Sequence, residues 1–103
     1  MEDAHPLIRE LFPGLMAELV SCLEAEGEAE LAISVRDVRL YQWCGCGDDF
    51  CQSFRTAPPP DGAYGPGYRN VSLNSERGYL ILDVVRDQIM FVEVLYYPDL
   101  RDA

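Results

Sequence analysis

Two apolar segments, Tyr79 to Val85 and Ile89 to Tyr97, constrain this chain's fold more than any other feature. They are rich in Ile, Val, Leu, Tyr and Phe, residues that suit a pleated, half-buried surface, and only Arg86-Asp87-Gln88 lies between them. So short a connection allows antiparallel pairing alone, which predicts a hairpin at the centre of a sheet. Both segments are apolar at nearly every position, so both faces need cover. A helix is expected over one face, and a loop or a second subunit of a homodimer over the other. Asp83 and Glu93 interrupt these runs. They can be read as a carboxylate pair that titrates as an acid/base dyad, or as acids at the sheet margin or paired with arginine. The register is not fixed by sequence, so neither reading makes them neighbours.

The helix that covers the sheet is expected at the other end of the chain. Leu7, Ile8, Leu11, Phe12, Leu15, Met16, Leu19, Val20 and Leu23 recur at helical spacing on one face. Pro13 cannot donate to the carbonyl of Arg9, so a short first turn or kink is expected before a main helix from Pro13 to Glu26, with Gly27 at C′. Leu31, Ile33 and Val35 alternate with Ala32 and Ser34 and read as a strand. The apolar phase then slips across Arg36-Asp37, which predicts a bulge or turn there. A strand through Trp43 and a weaker return over Cys51 to Arg55 make a second hairpin. Thr56 to Arg69, with three consecutive prolines and several glycines, reads as a long polyproline-like loop. Val71 and Leu73 mark a short strand, and Asp99 to Ala103 a frayed tail. The expected fold is α+β: an N-terminal amphipathic helix on an antiparallel sheet of four to six strands, as a single domain over 1–103.

Charge narrows the classes of partner. Eight Lys and Arg against eighteen Asp and Glu give a formal charge of −10, which excludes nucleic-acid binding as a primary function and favours a basic protein partner. Glu24, Glu26, Glu28 and Glu30 cluster around the expected helix end and are the candidate partner-binding residues, although the helix dipole there would prefer cations. No segment is apolar over the length of a membrane span. The acidic start lacks the character of a leader, so a cytoplasmic location is expected.

The chemistry-bearing residues concentrate in Cys44-Gly45-Cys46-Gly47-Asp48-Asp49-Phe50-Cys51, at the tip of the second hairpin. Cys44 and Cys46, two residues apart on an extended strand, point to one side, and the glycines let the chain turn so that Cys51 joins them. Three thiolates suit zinc, with a fourth donor from Cys22, His5, Asp48, Asp49 or water. The alternatives are unligated thiols around a glycine-rich turn, or a disulfide from Cys51 to Cys44 or Cys46. The C-x-C-x4-C spacing is similar to the zinc-binding segment that follows the catalytic part of SET-domain methyltransferases. That resemblance spans eight residues and implies shared zinc ligation with a distant fourth cysteine; the chain is too short to be such an enzyme.

No catalytic motif accompanies these features. The expected function is therefore that of a small acidic, non-enzymatic interaction or regulatory protein, an antitoxin- or immunity-like binder, with zinc as the candidate cofactor in the cysteine hairpin. The alternative is a thiol-redox or metal-dependent enzyme using Cys44, Cys46 or Cys51, with His5 or Asp48 as proton carrier.

Overall fold

A computed structural model describes residues 5–45 and 47–100. Three helices come first: α1 (Ile8–Leu11), α2 (Pro13–Ala25) and α3 (Ala29–Ser34), the last continued by a 3-10 turn over Val35–Asp37. Five strands follow, β1 (Gln42–Trp43), β2 (Phe54–Arg55), β3 (Tyr68–Leu73), β4 (Tyr79–Val85) and β5 (Gln88–Leu95). They form one antiparallel sheet in the order β1-β2-β5-β4-β3, an α+β fold.

The central hairpin has the pairing its sequence requires. Arg86 and Asp87 both adopt left-handed backbone, with φ of 50° and 67°, a two-residue turn whose twist matches that of the flanking strands. Along β4 and β5, Leu80, Leu82, Val84, Val92 and Val94 lie fully buried on the helix side. They meet Ile8, Leu15, Leu19, Leu23, Leu31 and Val35 from the helical layer in one core that also contains Phe54 of β2. Pro13 separates α1 from α2 at Phe12, which closes the first helix and precedes the second with φ −135° and ψ 71°.

The segment expected as a strand from Leu31 is helical instead. Ala, Glu and Leu favour helix, and the buried residues Leu31, Ala32 and Val35 follow helical spacing, while Ile33 is 70% exposed. The phase slip at Arg36-Asp37 is the 3-10 turn, not a bulge. The start of the expected C-terminal tail also differs from expectation, residues 101–103 lying outside the described residues. Leu100 is buried, and its backbone N–H donates to Gln52 Oε1 at 2.9 Å, which ties the chain down well past the last strand.

The sheet's second face carries no helix. Its side chains come from alternate positions, with Tyr79 opposite Leu95, Ile81 opposite Glu93, Asp83 opposite Phe91, Asn70 opposite Asp83, and Arg55 opposite Phe91. Most are half-buried or exposed. The cover expected on this side is partial: the loop before β3 reaches it through Tyr64.

Candidate functional site

The cysteine hairpin folds as a tip beyond β1 and β2. Trp43 pairs with Phe54, the Cys44 N–H donates to the Ser53 carbonyl at 3.0 Å, and Cys51 bridges to Leu95 of the central strand. Gly45 and Gly47 take φ of 69° and 79°, the left-handed backbone that brings the chain round between the two cysteines. The Cys44 and Cys51 sulfurs are thereby 3.4 Å apart. The Cys51 thiol also donates to Ser53 Oγ at 3.3 Å, and that hydroxyl accepts from the Val94 N–H at 2.9 Å. The tip is thus anchored to the middle of the sheet.

Cys46 lies outside the described residues. Cys22 is at a different place, in the last turns of α2 beside the turn that follows β3, at the opposite edge of the sheet from β1. Its buried thiol lies 3.7 Å from Glu18 Oε2 and 3.6 Å from the Asn74 carbonyl oxygen. Burial, then the Glu18 charge, pushes this thiol above its ordinary pKa, so it remains protonated. Among the described residues, no group of three or more His, Cys, Asp or Glu side chains is assembled to hold a metal ion.

The four glutamates divide. Glu24 and Glu26 lie at the C-terminal end of α2, against its dipole, whereas Glu28 and Glu30 flank the start of α3, where negative charge is favoured. Glu28 is engaged by Arg69 of β3 through two bonds of 2.8 and 3.0 Å, and the Arg69 hydrogen bond holds its carboxyl below the usual range. Glu24, Glu26 and Glu30 are exposed and make no ion pair with any described residue.

A third cluster, only partly anticipated, occupies the open face of the sheet. Asp83 is 9% exposed and accepts from the Tyr68 hydroxyl and the Asn70 amide, each at 3.1 Å, and from the Tyr64 hydroxyl at 3.4 Å. The two tyrosine rings stack with centroids 5.0 Å apart. Burial raises the Tyr64 pKa, with the Asp83 charge adding to it, whereas for Tyr68 the Asp83 hydrogen bond leads. The Arg55 guanidinium lies 5.0 Å from the centroid of the Phe91 ring. Glu93 stands diagonally across from Asp83 on the same face, between Phe91 and Leu95 of its own strand and opposite Ile81. It makes no hydrogen bond or ion pair with any described residue; desolvation first, then Asp83, raises its pKa.

Beyond Glu93 the face becomes aromatic. Phe50 of the cysteine tip stacks on Tyr96 at 4.7 Å, and Tyr96 meets Tyr79 edge-on at 6.0 Å. Tyr96 is 63% exposed and has φ 52°, a left-handed conformation costly for an aromatic residue. Gly78 lies against it so closely that an added Cβ would be 2.5 Å from the Tyr96 carbonyl oxygen.

Comparison with known families, with curated proteins and with solved structures finds no match for this chain. Among the described residues, no helix is long and apolar enough to cross a membrane.

Proposed function

We propose that this chain is a small acidic, non-enzymatic interaction protein, an antitoxin- or immunity-like binder of a basic protein partner. One observation carries the reading: the excess of negative charge is left unneutralised on the surface. Glu24, Glu26 and Glu30 have no cationic partner among the described residues, whereas Arg9 and Arg69 are taken up by the chain's own Asp37 and Glu28. Such a surface raises the rate of encounter with a cationic protein and discriminates against acidic ones. Calorimetric titration with a synthetic basic peptide tests this. The expected affinity falls at least about tenfold, ~1.4 kcal/mol, between low and physiological salt. A salt-independent affinity, or equal binding of a neutral peptide of the same length, refutes it.

In this reading the cysteine tip is structural, with Cys44 and Cys51 as two thiolate donors to a zinc ion. The support is their 3.4 Å approach on a hairpin anchored through Ser53. Zinc bound there is expected to protect both thiols from oxidation, and an unprotected pair would count against it.

A further inference from the structure

The open face of the sheet combines three properties. Glu93 is a half-buried carboxylate with no partner among the described residues. Apolar and aromatic side chains surround it: Ile81 directly opposite, Phe91 and Leu95 two residues away on the same strand and face, and Tyr79 on the diagonal. Asp83, the second carboxylate, is already saturated by Tyr64, Tyr68 and Asn70, so it adds negative field without needing a proton or a cation from the chain. The cation this face does carry, Arg55, lies over the Phe91 ring and makes no ion pair with either carboxylate, so Glu93 is left without a counter-ion among the described residues.

The chemistry of the missing group can be narrowed. A strongly hydrated ammonium loses more on leaving water than a guanidinium, which is weakly hydrated, flat enough to lie on a ring, and able to fork two N–H bonds to one carboxylate. This face already accommodates one guanidinium in that manner, since Arg55 lies over Phe91. A second copy of the chain is a poor occupant: face-to-face packing about a two-fold axis would set Asp83 and Glu93 against the same pair of charges.

We infer that the open sheet face receives an arginine side chain of the basic protein partner, with Glu93 as its carboxylate and the exposed Tyr79 as its aromatic wall, beside the Phe91 ring that Arg55 already covers. This rests on the reading of the chain as a binder of a basic protein and specifies where and through which group it binds. The exposed Tyr96 and Phe50 extend the same surface and would take up the residues flanking that arginine.

The test compares wild-type protein with Glu93→Gln and with a triple variant, Glu24→Gln, Glu26→Gln and Glu30→Gln, against a synthetic arginine-rich peptide and its lysine counterpart. Glu93→Gln keeps shape and removes one charge that no intramolecular partner needs, so its melting temperature should not fall. Its affinity for the arginine peptide should fall about tenfold, whereas the triple variant, which removes three charges, should lose less. Amide shifts induced by the peptide should centre on Tyr79, Ile81, Phe91 and Glu93. Undiminished binding by Glu93→Gln, equal affinity for the lysine peptide, or a peptide-linked dimer would overturn the inference while leaving the broader reading standing. Failure of wild-type protein to bind either peptide would overturn both.

Discussion

Oxidation of the metal-free protein should join Cys44 to Cys51 and stabilise the fold. With Cys46→Ser in place, oxidised glutathione accepts two electrons and two protons from these thiols and leaves as two glutathione thiols. The cross-link closes a loop of eight residues, Cys44 through Cys51. For a ring of that size the chain-entropy relation gives about 8 cal/mol/K, or ~2.5 kcal/mol at 25 °C, withdrawn from the unfolded state. Part of this is offset, because the sulfurs must close from 3.4 Å to a bond of about 2.05 Å, with the turn at Gly45 and Gly47 absorbing the shift. A net gain of about 1 to 2.5 kcal/mol corresponds to a melting temperature higher by roughly 5 to 15 °C. The assay is a thermal melt followed by circular dichroism, reduced against oxidised, with the linkage mapped by mass spectrometry. The reasoning fails if the disulfide formed involves Cys22, or if the mapped Cys44–Cys51 bond leaves the melting temperature unchanged. In the wild-type protein, which keeps Cys46, zinc added before the oxidant should slow thiol oxidation if the tip holds the ion, and an unchanged rate there would remove the zinc reading.

Two further outcomes follow from the packing and the charge pairs. Gly78→Ala should destabilise by about 3 kcal/mol in urea titration, because its Cβ meets the main-chain oxygens of Tyr96 and Leu95 at 2.5 and 2.8 Å and neither can retreat as a side chain would; a change under half of that would show that the β5 end is mobile. Arg69→Ala should cost at most about 1 kcal/mol near neutral pH, since the pair is partly exposed. Glu28 is held below its ordinary pKa, so its contribution is present above the unfolded-state carboxyl value and is lost as pH falls through its lowered folded value. Glu93, held above its ordinary value, acts in the opposite sense and destabilises as pH rises through the range above the usual glutamate pKa. An Arg69→Ala penalty that persists at low pH would refute the assignment to Glu28.

The sequence made the two hairpins, the split N-terminal helix and the Pro/Gly loop legible because each rests on a strong local signal. Pro13, the cysteine tip, and the short link between Val85 and Ile89 are such signals. Ala29 to Ser34 was misleading because Leu31, Ile33 and Val35 alternate as a strand would; Ala32 takes a buried position that a search for large apolar residues passes over. The open-face cluster was hidden by one residue. The pairs Val85 with Gln88 and Val84 with Ile89, continued without interruption, would set Glu93 opposite the fully buried Leu80. An irregularity at Met90 shifts the register between Asp83 and Val84, which places Glu93 opposite Ile81 and beside Asp83. Residue types alone do not locate such a bulge. The arginine pairing of Glu28 likewise depends on the distance that β3 lies from α3 in space, which no local pattern encodes.

The strand order has a kinetic consequence. β3, β4 and β5 are consecutive in the chain and adjacent in the sheet, so their pairing closes only short loops. β2 joins β5 by pairing Phe54 with Val92, across the whole meander, and β1 attaches only through β2 and is two residues long. Loop closure over such a separation is slow, and a short edge strand is easily shed. The two strands that flank the cysteine tip should therefore be the last to join and the first to leave. The alkylation rates of Cys44 and Cys51 would then report partial opening at that edge, while Cys22, buried on the inner side of α2, would report unfolding of the core.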